Sequence, residues 1–177
     1  MAAVALGVMF AMNANRPQPT GALPADATAL VANQAAFTCG ALTLTATGAP
    51  VTSFVDALRT GSHVGYDRVT VEFKNGVPGS ISIRPQTSTT FNQSPSGLPV
   101  KVAGRHGILV VIRGADAHTS YSGASDLKTS YPSLVETRVL EDFEGQLSLG
   151  LGASQASCYR ASILANPVRL VIDVQAG

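Results

Sequence analysis

Asp142 and Glu144, which bracket Phe143, and His118 in a polar stretch upstream are the side chains best suited in this sequence to moving protons. Two carboxylates about 5–9.5 Å apart can act as acid and base in glycoside hydrolysis, and a histidine beside them would extend that chemistry to peptides. The chain offers such a site little to grip with. It has no Trp, four Tyr and six Phe, whereas sugar sites usually stack their substrate on several aromatic rings. Gly145 follows Glu144 directly, and a tight turn explains these residues better than catalysis does. A nucleophile elbow, a phosphate-binding loop, a dinucleotide fingerprint and a HExxH zinc helix are all missing from the sequence.

The three histidines, His63, His106 and His118, stand at no ligand spacing of two or four residues. A metal site assembled in space from His63, His118, Asp142 and Glu144 is conceivable, but loop His and Asp ordinarily cap turns. No metal, no cofactor and no catalytic residue are therefore expected. Ligand contacts are expected instead from loops carrying His63, Tyr66, His118, Asp142, Phe143 and Glu144, with the polar stretch 116–132 beside them.

Two sets of opposite charge, Asp67-Arg68 and Arg169 with Asp173, stand at strand starts. Paired across strands they would fix register, so the expectation for all four is structural. A ligand carboxylate or phosphate taking the place of either acid is the competing use. Cys39 and Cys158 fit no zinc pattern. In an exported chain they are expected to form a disulfide, the alternative being two unrelated buried thiols.

Those positions require a framework, and the composition indicates which kind. Of 177 residues, 45% are hydrophobic and 13% charged, with net charge +1 and no basic or acidic block. One core is well supplied, while nucleic acid and anionic membrane surfaces are poor candidate partners for want of clustered Lys and Arg; neither nucleic acid nor a membrane-spanning helix is expected. Residues 2–12 form an apolar run about half the length needed to span a bilayer, matching a signal-peptide core. The expected division is a signal-like segment at 1–14, a flexible linker at 15–36 and one domain at 37–177.

From Phe37 onward apolar residues alternate with polar ones, as in Leu42, Leu44 and Ala46, or Val69, Val71 and Phe73. Asn75-Gly76 then predicts a hairpin leading to Ile81 and Ile83. The run 108–112 is apolar throughout and predicts a central strand covered on both faces. Residues 51–59 have helical spacing at Val51, Phe54, Val55 and Leu58, but breaker flanks that suit a strand equally. Further strands are expected near 98–103, 134–140, 146–151, 159–164 and 169–174. The sum is an all-β fold, a β-sandwich or small barrel of about eight to ten short antiparallel strands.

Several pieces, in order, resemble the AMIN-like domain of bacterial secreted proteins and lipoproteins. They are Leu58-Arg59-Thr60-Gly61-Ser62-His63-Val64-Gly65-Tyr66-Asp67-Arg68-Val69 with Val71-Glu72-Phe73, then Val77-Pro78-Gly79, Ala115-Asp116-Ala117-His118 and Asp142-Phe143-Glu144-Gly145. The closing piece is Asn166-Pro167-Val168-Arg169-Leu170-Val171-Ile172-Asp173-Val174. The resemblance implies a β-sandwich at the cell envelope and leaves its activity open, with no established catalytic residues to carry over. The expected function is a module that binds or scaffolds peptidoglycan or another envelope polymer. A small hydrolase using Asp142, Glu144 and His118, or a domain contacting an envelope protein through a sheet edge, are the alternatives. Export is expected, but Cys39 lacks the setting of a lipid-attachment cysteine.

Overall fold

Residues 36–47, 49 and 51–177 are described by the computed structural model. The expected signal-like segment 1–14 and, apart from Ala36, the linker 15–36 lie outside them. Thirteen strands follow one another: β1 (Leu42–Thr45), β2 (Ser53–His63), β3 (Tyr66–Lys74), β4 (Ser80–Gln86), β5 (Thr90–Asn92) and β6 (Pro99–Lys101) come first. Next come β7 (His106–Arg113), β8 (Ala115–Asp116), β9 (Asp126–Lys128), β10 (Leu134–Phe143), β11 (Gln146–Ala153), β12 (Tyr159–Leu164) and β13 (Val168–Gln175). The number exceeds eight to ten because β5, β8 and β9 are too short to show a period in sequence. No helix of the described residues is long and apolar enough to cross a membrane.

Two sheets face each other. One has the order β1-β4-β7-β11-β10-β9, the other β12-β13-β3-β2-β8. Ile81, Ile83, Ile108, Val110, Ile112, Leu147, Leu149 and Leu151 from the first sheet meet Val55, Leu58, Val69, Val71, Leu170, Ile172 and Val174 from the second in one core. Alternation drives this: each strand turns every second side chain inward, and burying them supplies most of the fold's stability. All pairings are antiparallel except the short β2–β8 contact. The fold is the expected all-β sandwich.

The run 108–112 is a central strand, as its composition predicts. β7 lies between β4 and β11, with Ile108, Val110 and Ile112 in the main core. Leu109 points the other way, into a second cluster with Phe91, Val102 and Leu140. That cluster forms because the β5–β6 hairpin lies flat on the outer face of the six-stranded sheet. Gly150 and Gly152 of β11 make room for it. A Cβ at Gly150 would come within 2.9 Å of the Phe91 ring, and one at Gly152 would overlap the Ala103 carbonyl.

The hairpin predicted at Asn75-Gly76 is corrected by the topology. Asn75 and Gly76 do take the positive φ values of a tight turn, 62° and 104°. The strands on either side, however, belong to opposite sheets: β3 pairs with β2 and β13, β4 with β1 and β7. Asn75 Nδ2 donates to the Thr52 carbonyl and Ser53 Oγ to the Gly76 carbonyl, anchoring the turn to the start of β2. The segment Val77-Pro78-Gly79 then carries the chain across the sandwich, Pro78 having no N–H for a hairpin ladder.

Residues 51–59 settle as strand. β2 carries a bulge between Val55 and Ala57, with Asp56 as the extra residue. The bulge turns both Val55 and Leu58 inward, three positions apart, and this produces the helix-like spacing.

Cys39 and Cys158 form a disulfide. Beside it Thr38 and Tyr159 exchange two backbone hydrogen bonds of 2.8 Å. The fully buried Tyr159 hydroxyl lies 2.8 Å from the Gly40 carbonyl and 3.0 Å from that of Ile83, so it can donate to either. The segment 36–45 is thus fastened to both sheets: to β12 by the bridge and disulfide, to β4 by β1.

Candidate functional site: an arginine–aromatic face

The six residues expected to contact a ligand divide between the two ends of β2. His63 and Tyr66 flank the β2–β3 turn, while His118, Asp142, Phe143 and Glu144 gather near β8, which pairs with the opposite end of β2. Most of the length of β2 lies between the groups, on the order of 20 Å. A single site using all six is ruled out by that distance, and so is the metal set that joined His63 to His118.

At the β8 end, Asp142 acts as a clamp. Its Oδ1 accepts the Ala117 N–H (3.1 Å), and its Oδ2 accepts the His118 N–H (2.6 Å) and faces His118 Nδ1 at 3.1 Å. Asp116 caps the next turn by accepting the Thr119 N–H and hydroxyl at 2.9 and 2.8 Å. Burial raises the Asp116 carboxyl, but the Thr119 hydrogen bonds and His118 outweigh it, leaving it below the ordinary value. Asp116, His118 and Asp142 bring their ligand atoms within 4.8 Å of one another. The hydrogen bonds just described already occupy these carboxylates.

Glu144 and Gly145 form the two-residue turn between β10 and β11, with φ of 47° and 73°. The Gly145 carbonyl accepts the N–H groups of Gly114 and Ala115 at 2.7 and 3.1 Å. Asp142, Glu144 and His118 therefore build a loop junction, with Phe143 46% exposed beside it.

The other end is assembled differently. One row of register partners crosses the outer face of the five-stranded sheet: Gly61 on β2, Arg68 on β3, Asp173 on β13 and Arg160 on β12. Arg68 grips Asp173 with two donors, Nε to Oδ1 at 2.6 Å and Nη2 to Oδ2 at 3.0 Å. Arg160 adds its Nε to Oδ2 at 2.8 Å. Burial raises the Asp173 carboxyl, but the hydrogen bonds and charges of both arginines outweigh it and hold it below the ordinary Asp value.

The Tyr66 ring lies 5.2 Å from the Arg68 guanidinium carbon and 5.0 Å from that of Arg160, and the Phe37 ring lies 4.8 Å from the latter. His63 stacks on Tyr66 with centroids 4.8 Å apart and planes 18° from parallel. Exposed His63 and the partly exposed arginines therefore share one face with two further rings, Tyr66 and Phe37.

Of the four charges expected to be structural, Arg68 and Asp173 pair as described. Asp67 is buried and accepts from Ser62 Oγ (2.7 Å), the Ser133 N–H (2.7 Å) and the Leu134 N–H (2.9 Å), tying β3 to the start of β10. Arg169 takes no part in the pairing. Its Nε donates to the Pro167 carbonyl at 3.3 Å. Arg160 and Phe37 were not singled out by sequence. The signal for Arg160 was its alternation with buried Tyr159 and Ala161, which places it outward on the same strand face as any partner on β13.

A cavity of about 300 Å³ opens beside the disulfide, lined by Pro85, Gln86, His106, Ile108 and Cys158 among others. His106 is the one ionisable side chain in its lining.

With this geometry in place the family is clear. A family model for the AMIN-like domain matches residues 53–176, most of the chain, and the chain belongs to that family. The match begins at the first residue of β2, leaving β1 and Cys39 outside it. The comparison with curated proteins gave no match.

Proposed function

We propose that this chain is an exported, non-catalytic binding or scaffolding module of the cell envelope, which holds peptidoglycan or another envelope polymer on the outer face of its five-stranded sheet. The observation that carries the reading is the His63–Tyr66 stack flanked by the guanidiniums of Arg68 and Arg160. Flat rings and fixed donor forks suit a chain of sugars or short peptides, and a sheet face accepts an extended polymer without a deep cleft. The disulfide supports an oxidising, extracytoplasmic setting. Membership of the AMIN-like family supports the envelope. The hydrolase alternative draws less support, since both Asp142 oxygens are committed to backbone N–H groups and Glu144 is held in a turn.

Co-sedimentation with purified sacculi tests the proposal. The wild-type protein is expected to pellet with the sacculi, His63→Ala to pellet less, and His118→Ala to behave as wild type. Loss of binding in His118→Ala alone would move the site to the β8 end. Failure of the wild type to pellet would remove peptidoglycan as the ligand.

A further inference from the structure

We infer that the Gly61–Arg68–Asp173–Arg160 row receives a carboxylate carried by the envelope polymer, with the free edge of the Arg160 guanidinium as its principal donor. The inference rests on the reading above and gives it a ligand chemistry.

Charge is the first argument. Two guanidiniums share one carboxylate, so the row carries one uncompensated positive charge. The second is geometry. Asp173 engages Arg160 only through Nε, and among the described residues Nη1 and Nη2 of Arg160 and Nη1 of Arg68 have no hydrogen-bond partner. A guanidinium whose Nε is pinned still offers a pair of N–H groups to a planar two-oxygen acceptor.

Preorganisation is the third. Tyr66 and Phe37 each place a ring against the Arg160 group, and Tyr66 also flanks Arg68, which lowers the ordering cost of binding. Space is the fourth. Gly61 lies in the same row, and a Cβ there would meet nothing closer than His63 Nε2 at 3.6 Å. The fold itself therefore does not require glycine at this strand position. Close approach of a ligand is a recognised reason for a glycine inside a strand. Exposed His63 stands beside the gap, ready to cover one face of an incoming group.

The test compares untreated sacculi with sacculi whose carboxyl groups have been converted to neutral amides. Wild-type protein is expected to bind the amidated material about tenfold more weakly, the loss appropriate to a charge-assisted hydrogen-bonded pair. Arg160→Gln is expected to bind untreated sacculi about tenfold more weakly and to be insensitive to amidation. Gly61→Leu leaves the Arg160–Asp173 contact in place and is expected to block binding while melting like wild type, which separates site loss from misfolding.

Soluble stem peptide and N-acetylmuramic acid, offered separately as competitors against untreated sacculi, then distinguish the sources. Displacement by the sugar assigns the carboxylate to the sugar, and displacement by the peptide assigns it to the peptide. Equal binding of wild type to amidated and untreated sacculi overturns the inference while leaving the envelope reading standing. Should wild type not bind sacculi at all, that reading fails, and the inference is judged on free N-acetylmuramic acid. A shift of the Arg160 side-chain resonances that N-acetylglucosamine does not cause supports it, and no shift overturns it.

Discussion

Asp173 is 3% exposed and yet ionised, because two guanidiniums supply what water would otherwise provide. Asp173→Asn is expected to lower stability by about 2–4 kcal/mol, less than for a fully buried pair because both arginines reach solvent. The same contact has a pH signature. Its folded-state pKa is depressed, so its contribution is complete above the unfolded value near about 4 and is lost as pH falls through the lower native value. Acid unfolding followed by circular dichroism should therefore begin below about pH 4 in the wild type, and this component should be missing in Asp173→Asn. Arg169→Ala, by contrast, should change the melting temperature little, since among the described residues its side chain makes a single hydrogen bond, to a backbone carbonyl. An unchanged melt for Asp173→Asn, or a sharp drop for Arg169→Ala, would reverse the assignment of roles in this face.

Among the elements, what could be read in advance depended on whether the signal was local. β7 was legible because an unbroken apolar run has few uses other than a strand covered on both sides. β2 was ambiguous because one bulged residue, Asp56, imitates a helical period over a short window. Asn75-Gly76 disclosed its own backbone angles but not the destination of the next strand, since turn residues fix φ while sheet membership is set by distant partners. Arg160 stayed hidden for the same reason. Its meaning depends on Asp173 in the adjacent strand and Arg68 one strand further, and no spacing in one dimension records that row. Asp142 and Glu144 were noticed for their charge, but their use as clamp and turn could be read only once β8 was in place.

Tyr159 offers a test at this scale. Burial pushes its hydroxyl up to about 12. The native state thus keeps a proton that the unfolded chain loses near pH 10, and stability should fall by up to about 2–3 kcal/mol between about pH 10 and 12. Denaturant melts should show a larger alkaline loss in the wild type than in Tyr159→Phe, which keeps only the part due to other groups such as the partly buried Tyr121. The variant should start about 1–2 kcal/mol less stable, having lost the hydroxyl's hydrogen bond to Gly40 or Ile83.

For the molecule as a whole, the core among the described residues begins at Leu42 and the covalent fastening at Cys39. A chain of residues 37–177 is expected to be soluble, to melt cooperatively, and to show no reactive thiol when denatured without reductant. Closing a loop with a sequence separation of 119 should contribute roughly 2–4 kcal/mol, so reduction should lower the melt. Two titratable thiols, or aggregation of this shorter chain beside a well-behaved full-length one, would count against a self-sufficient domain with that bond.

The position of Cys39 also determines how the domain carries a load. Running from Ala36, the backbone joins the sandwich at the Thr38–Tyr159 bridge, and one residue later at the covalent link to Cys158. Tension applied from that side is delivered to the root of β12, two residues before Arg160, rather than to β1, whose four ladder pairs would otherwise be peeled apart in turn. If Arg160 grips a wall polymer, the path from Cys39 to the polymer runs through one disulfide and two residues of backbone. The hydrophobic core then lies beside the line of force instead of in it.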